Sequence, residues 1–114
     1  MDETHEVTGP VVVPLPPEID MTNAERVSGE LIAAARPGRR VVVGDLTATT
    51  FCDSAGIRAL GVAHQHASRA KVQLRLAVAP DGAVRRVLEI MDLVAVLSVY
   101  PSVADAVAGS SGAG

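Results

Sequence analysis

Apolar positions along the chain fall into blocks whose period changes several times, and each change marks an element. "VVV" at 11–13 is β-branched and strand-like, and Pro14, Pro16 and Pro17 follow at once. A proline removes a ladder donor, so this strand is expected at a sheet edge or cut short. Next comes "TNAE", the pattern of a capping box in which Thr22 caps a helix and Glu25 reaches back. Ala24, Val27, Leu31 and Ala34 recur at helical spacing, and "RPG" at 36–38 ends that element. "RRVVVGDL" is a near-continuous β-branched run, the pattern of a strand covered on both faces, with Gly44 weakening it slightly. From Ser54 onward, Ile57, Leu60, Ala63 and Ala67 mark a second helix running to about Ala70.

"KVQLRLAVA" alternates and then turns wholly apolar, which reads as another strand. "PDGAVRRVLEIMDL" holds Val84, Val87, Leu88 and Met91 at i, i+3, i+4 and i+7, the most regular helical stripe in the chain. "VAVLSVY" reads as a last strand, "PSVADAVAG" as a short capped helix, and "SSGAG" as a tail with nothing to bury. Strands alternating with helices mean an α/β layer structure with parallel pairs joined by right-handed crossovers. The expected organisation is a polar lead-in over residues 1–9, one domain over 10–108, and a flexible tail over 109–114. The lead-in is expected to be weakly ordered or tied down only as an edge strand. No internal repeat is visible.

Composition sharpens this outline. The 114 residues suffice for one core, and the 48% apolar content includes a single Phe and a single Tyr, so Val, Leu, Ile and Ala must fill it. A net charge of −3 and the scarcity of aromatic rings argue against a nucleic-acid partner. Cys52 is the sole cysteine, which excludes an intrachain disulfide or a multi-cysteine metal site and fits a reducing compartment. "MDETHEVTG" is acidic where a secretory signal would be basic and then apolar, and no apolar run approaches the ~18 residues of a membrane helix. The expectation is a soluble, cytoplasmic protein without membrane insertion.

The stretch "ATTFCDSAGIRAL" carries the candidate chemistry. As a hydrolase nucleophile Ser54 would need a base within hydrogen-bond reach. His64 lies on the same predicted helix, about 15 Å away along the axis at a rise of ~1.5 Å per residue. His66 is farther, His5 stands in the polar lead-in, and "CDSAG" lacks the first glycine of a nucleophile elbow. "HQH" at 64–66 puts its imidazoles on nearly opposite sides of a helix, where they cannot share an ion. "GIRALG" at 56–61 has phosphate-loop glycine spacing, but Val62-Ala63 replaces the required Lys-Ser/Thr, so Gly61 is expected instead to ease helix packing. Cys52 reads as a small buried hydrophobe, and the arginine pairs 39–40 and 85–86 as solvated faces. Ser54 reads as an N-cap, with Asp53 competing for that role. The same helix start would tolerate and display a phosphate on Ser54, so the residues alone leave cap and switch both open.

"VVVGDLTATTFCDSAGIRAL" resembles the signature of the STAS domain as found in bacterial anti-sigma-factor antagonists. "PPEIDMTNA" is similar to that family's turn before its first helix, "PDGAVRRVLEIMDL" to its third helix, and "VYPSVADAV" to its closing strand and helix. The resemblance spans about residues 11–108. It implies a single small α/β domain, a mixed four- to five-stranded sheet with helices mainly on one face. It also implies a binding module, not an enzyme, with no cofactor of its own. Its partner would be an anti-sigma factor that is also a serine kinase and that brings ATP and magnesium. The unmodified form would bind this partner, and phosphorylation of Ser54 would release it. Asp53, Ala55 and Gly56 would join Ser54 in the contact, and Glu18 and Asp20 would form its second segment. Pro17 stands where the motif has glycine, so the turn presenting Glu18 and Asp20 must be built differently. Asp92 replaces a common helix-ending glycine and would take the left-handed cap at some cost. A non-switching STAS scaffold, or a small-ligand sensor in a lipid-transport or stress-sensing assembly, is the alternative.

Overall fold

The computed structural model describes residues 9–109. The elements run β1 (Val11–Pro14), β2 (Glu18–Ile19), α1 (Ala24–Ala34), β3 (Val41–Asp45), β4 (Phe51–Cys52), α2 (Ser54–Arg69), β5 (Gln73–Ala77), α3 (Ala83–Ile90), β6 (Val99–Tyr100) and α4 (Val103–Ala108). The main sheet has the order β1-β3-β5-β6, and each of its described pairs is parallel. Among the described residues β1 takes an edge, the position its prolines favour. A separate parallel ladder pairs Glu18 with Phe51 and Ile19 with Cys52. The antiparallel strand that a mixed sheet implies is not among the described residues. The expected lead-in up to residue 8 and the tail from 110 also lie outside them.

β3 reads as an unbroken apolar run because both of its faces are covered. Val42 joins Leu74 and Leu76 beneath α1, α2 and α3, which contribute Val27, Leu31, Ile57, Leu60, Val84 and Leu88. Val43 and Ala77 face the other way and meet Ala106 of α4 in a smaller cluster. Three helices on one face and one on the other match the expected layering. Arg75 fastens the lone helix: its Nη1–H donates to the carbonyls of Ala106 at 2.8 Å and Val107 at 3.3 Å. Ser102 caps the other end, accepting from the Asp105 N–H at 3.0 Å. Among the described residues no helix is long and apolar enough to cross a membrane.

Four local expectations change. The capping box does not form: Asn23 holds the N-cap position of α1, and Thr22 donates its hydroxyl to Asp20 Oδ1 at 2.5 Å instead. "VAVLSVY" yields a strand only at its end, because Leu93 and Leu97 both turn inward, joined by a Leu97 N–H bond to the Leu93 carbonyl at 2.9 Å. That i, i+4 pairing overrides strand alternation. Met91 is 48% exposed, since α3 ends before it. Gly61 packs against nothing: no neighbouring atom lies within 4 Å of where its Cβ would stand.

Asp92 does take the left-handed conformation, with φ at 61°. Its N–H donates to the Glu89 carbonyl at 3.0 Å and that of Leu93 to Leu88 at 2.9 Å, a Schellman closure of α3. Lys71, with φ at 63°, closes α2 by the same pair of bonds. Glycine removes the Cβ penalty of this backbone, so Asp92→Gly is expected to raise stability by about 0.5–1 kcal/mol. The check is a higher urea midpoint at unchanged m-value; a lower midpoint would assign the Asp92 side chain a stabilising role of its own.

Candidate functional site

The site is assembled where the short ladder delivers the chain into α2. Beyond Cys52 the Asp53 N–H still reaches the Ile19 carbonyl at 3.1 Å, and Asp53 keeps an extended backbone. Its Oδ1 then accepts from the Gly56 N–H at 3.0 Å, which makes Asp53 the N-cap. The competition between Asp53 and Ser54 is therefore resolved for Asp53, because a cap needs the extended conformation that the end of the ladder imposes. Ser54 is the first helical residue and is exposed, and its hydroxyl has no hydrogen-bond partner among the described residues.

Gly56, expected in the partner contact, is buried. A Cβ there would lie 2.6 Å from Cys52 Sγ, 2.8 Å from Ile19 Cγ2 and 3.1 Å from the Ile19 carbonyl oxygen. Its part in the site is to let α2 begin flush against β2 and β4. Cys52 beneath it is buried, and its thiol is pushed up to about 11, by burial first and by the Asp53 charge second. It is protonated and inert at neutral pH.

The structure brings the second expected segment alongside the first. Glu18 is exposed and sits opposite Phe51, which is 49% exposed despite being the only phenylalanine. Asp20 follows, its carboxylate accepting from the Thr22 hydroxyl and from the Thr22 N–H at 2.9 Å. Those bonds hold its pKa below the ordinary value. The turn with Pro17 in place of glycine is pinned from across the ladder: Thr50 N–H donates to the Pro17 carbonyl at 2.8 Å, and the buried Thr49 hydroxyl to that of Pro16 at 2.8 Å.

Beside Ser54 a groove of about 580 Å³ opens between α1 and α2. Met21, Glu25 and Ser28 form one wall, and Ser54, Arg58 and Val62 the other. Met21 is 79% and Val62 47% exposed, which gives the groove an apolar rim. Sequence reasoning missed these residues. Met21, Val62 and Phe51 are core residue types whose exposure only the tertiary packing decides, but Arg58 could have been found from its i, i+4 spacing to Ser54. His64 sits nearly three turns along α2, in a separate cleft with Lys71 and Arg75, so it does not serve Ser54 as a base.

The STAS domain profile matches residues 2–106 of the chain. No curated protein matches it. An anti-sigma factor antagonist from Mycobacterium paratuberculosis, known as a crystal structure, is 28% identical and superposes with a TM-score of 0.73 over 89% of this chain and 85% of that one. A sulfate transporter family protein from Wolinella succinogenes is 15% identical, with a TM-score of 0.70 over 89% and 84% of the two chains. An anti-sigma-factor antagonist (STAS) domain protein from Planctomyces limnophilus is 21% identical, with a TM-score of 0.66 over 86% of each. The last two likenesses concern the fold alone. With the profile spanning nearly its whole length and the Asp-Ser-Ala-Gly turn at the head of α2, the chain belongs to the STAS domain family.

Proposed function

We propose that this STAS domain is an anti-sigma-factor antagonist whose binding is ended by phosphorylation of Ser54, the kinase being the anti-sigma factor itself with its own ATP and magnesium. The observation that carries this reading is the division of labour at the head of α2. Asp53 caps the helix, so the Ser54 hydroxyl is exposed and not needed by the fold. A scaffold would need only the cap. The 28% identity to the mycobacterial antagonist lends further support.

In this reading Asp53, Ala55, Glu18 and Asp20 surround the acceptor in the contact, with Met21, Phe51 and Val62 as apolar anchors. In the transfer, Ser54 Oγ bonds to the γ-phosphorus of ATP as the bond to the β-phosphate oxygen breaks. ADP leaves, and the hydroxyl proton passes to a base on the kinase. The product carries about −1.5 to −2 charges at pH 7, which a helix N-terminus stabilises by about 0.3–1 kcal/mol, so the fold survives. Inside the interface the same charge lies beside Asp53 and loses its hydration. An unpaired buried charge costs several kcal/mol, so affinity is expected to fall on the order of a hundredfold.

Titration calorimetry against the cognate anti-sigma factor tests this. Unmodified protein and Ser54→Ala should bind alike, and phosphorylated protein and Ser54→Asp weakly. Since Asp53 caps the helix, Ser54→Ala should shift stability by less than about 0.5 kcal/mol. Equal affinities across the forms would return Ser54 to a passive surface residue.

A further inference from the structure

Ser54 and Arg58 stand one turn apart on α2, and both wall the groove beside α1. At i, i+4 their Cβ atoms are about 5–6 Å apart, and an anion placed N-terminal to a cation is the favourable order on a helix. Helical side chains lean toward the N-terminus, so an arginine at 58 can reach back over the turn that Ser54 opens. Arg58 is exposed, and no described carboxylate lies within ion-pair distance of it. It is also the cation among the described residues lining the groove, whose far wall offers Glu25.

We propose that Arg58 is the intramolecular partner of a phosphate on Ser54, folding back to hold the dianion against the first turn of α2. The proposal rests on Ser54 being the phosphoacceptor. An arginine fork matches phosphate geometry and forms charge-assisted hydrogen bonds with it, and the N–H groups at the helix start favour the same anion. Phosphorylation then does two things at once. It places a dianion in the contact, and it draws Arg58 off the groove, where in the unmodified protein its charge is open to a partner. The groups that oppose the dianion are Asp53 at the cap and Glu25 across the groove. Asp20 is engaged by Thr22.

The experiment places phosphoserine at position 54 during translation, so no kinase enters it. The second ionisation of the phosphate, ordinarily near a pKa of about 6, is followed by phosphorus NMR in otherwise wild-type protein, Arg58→Gln and Arg58→Lys. The helix start, Asp53 and Glu25 are common to all three, so the differences isolate residue 58. With Arg58 present the dianion should bind its proton about three- to tenfold more weakly than in Arg58→Gln, and Arg58→Lys should recover part of that difference. The Arg58 Nε–H resonance should also move on phosphorylation. Coincident titration curves for wild type and Arg58→Gln would overturn the proposal. A failed partner-binding titration would count against the switch while leaving this result intact, so the two failures are distinguishable.

Discussion

Gly56→Ala is expected to destabilise the domain by about 3 kcal/mol, at the upper end of what one added methyl does to a packed core. The methyl would overlap Cys52 Sγ at 2.6 Å and Ile19 Cγ2 at 2.8 Å, and neither neighbour has solvent to retreat into, Ile19 being fully buried. The Ile19 carbonyl, 3.1 Å from the same point, is fixed by the Asp53 N–H. Relief can come only from lifting the head of α2, which loosens the cap and shifts Ser54. Urea unfolding measures the loss. Cys52→Ala in the same chain removes the nearest atom, so the double variant should regain part of the stability. A loss below about 1 kcal/mol would mean that α2 does not sit against β2 and β4 as described.

Leu88→Ala should be comparably damaging, at about 3–4 kcal/mol. Leu88 is fully buried in the main core cluster, and its carbonyl accepts the Leu93 N–H that closes α3. Truncation leaves a cavity that a chain pinned on both sides cannot collapse. Arg85→Ala on the same helix is the contrast. It breaks a surface pair with Glu89 at 2.9 Å, worth about 0.3–0.5 kcal/mol. Thermal or urea melts of the two variants check the difference, and an unmoved Leu88→Ala transition would displace α3 from the core.

The features legible in the sequence were those with several residues to state a period. β3 and β5 announced themselves by β-branched or alternating runs, and α2 by Ile57, Leu60, Ala63 and Ala67, all of which are buried. β2 and β4 were silent, because two residues carry no periodicity and their pairing is decided by the loop at 46–50 closing onto the prolines. The α1 cap was misread for a related reason. Asp20 offered Thr22 a nearer partner than the helix did, a competition visible only once the turn exists. At the head of α2, the sequence left Asp53 and Ser54 competing for the cap, and the exposure of the Ser54 hydroxyl depended on Asp53 taking it. That assignment follows from where the ladder ends.

The β2–β4 ladder also bears on when the site comes into being. Two residues per strand cannot hold together alone, and the threonine bonds that flank them join positions 33 residues apart in the chain. Closing such a loop is entropically unfavourable until α1 and α2 have docked on the main sheet, so this joint is expected to form late in folding. A kinase gripping Glu18 and Ser54 together would thus discriminate by foldedness. Under the proposed switch, a nascent or heat-unfolded chain would show such a kinase the serine without the companion segment and would be passed over, so that only the folded fraction would be modified.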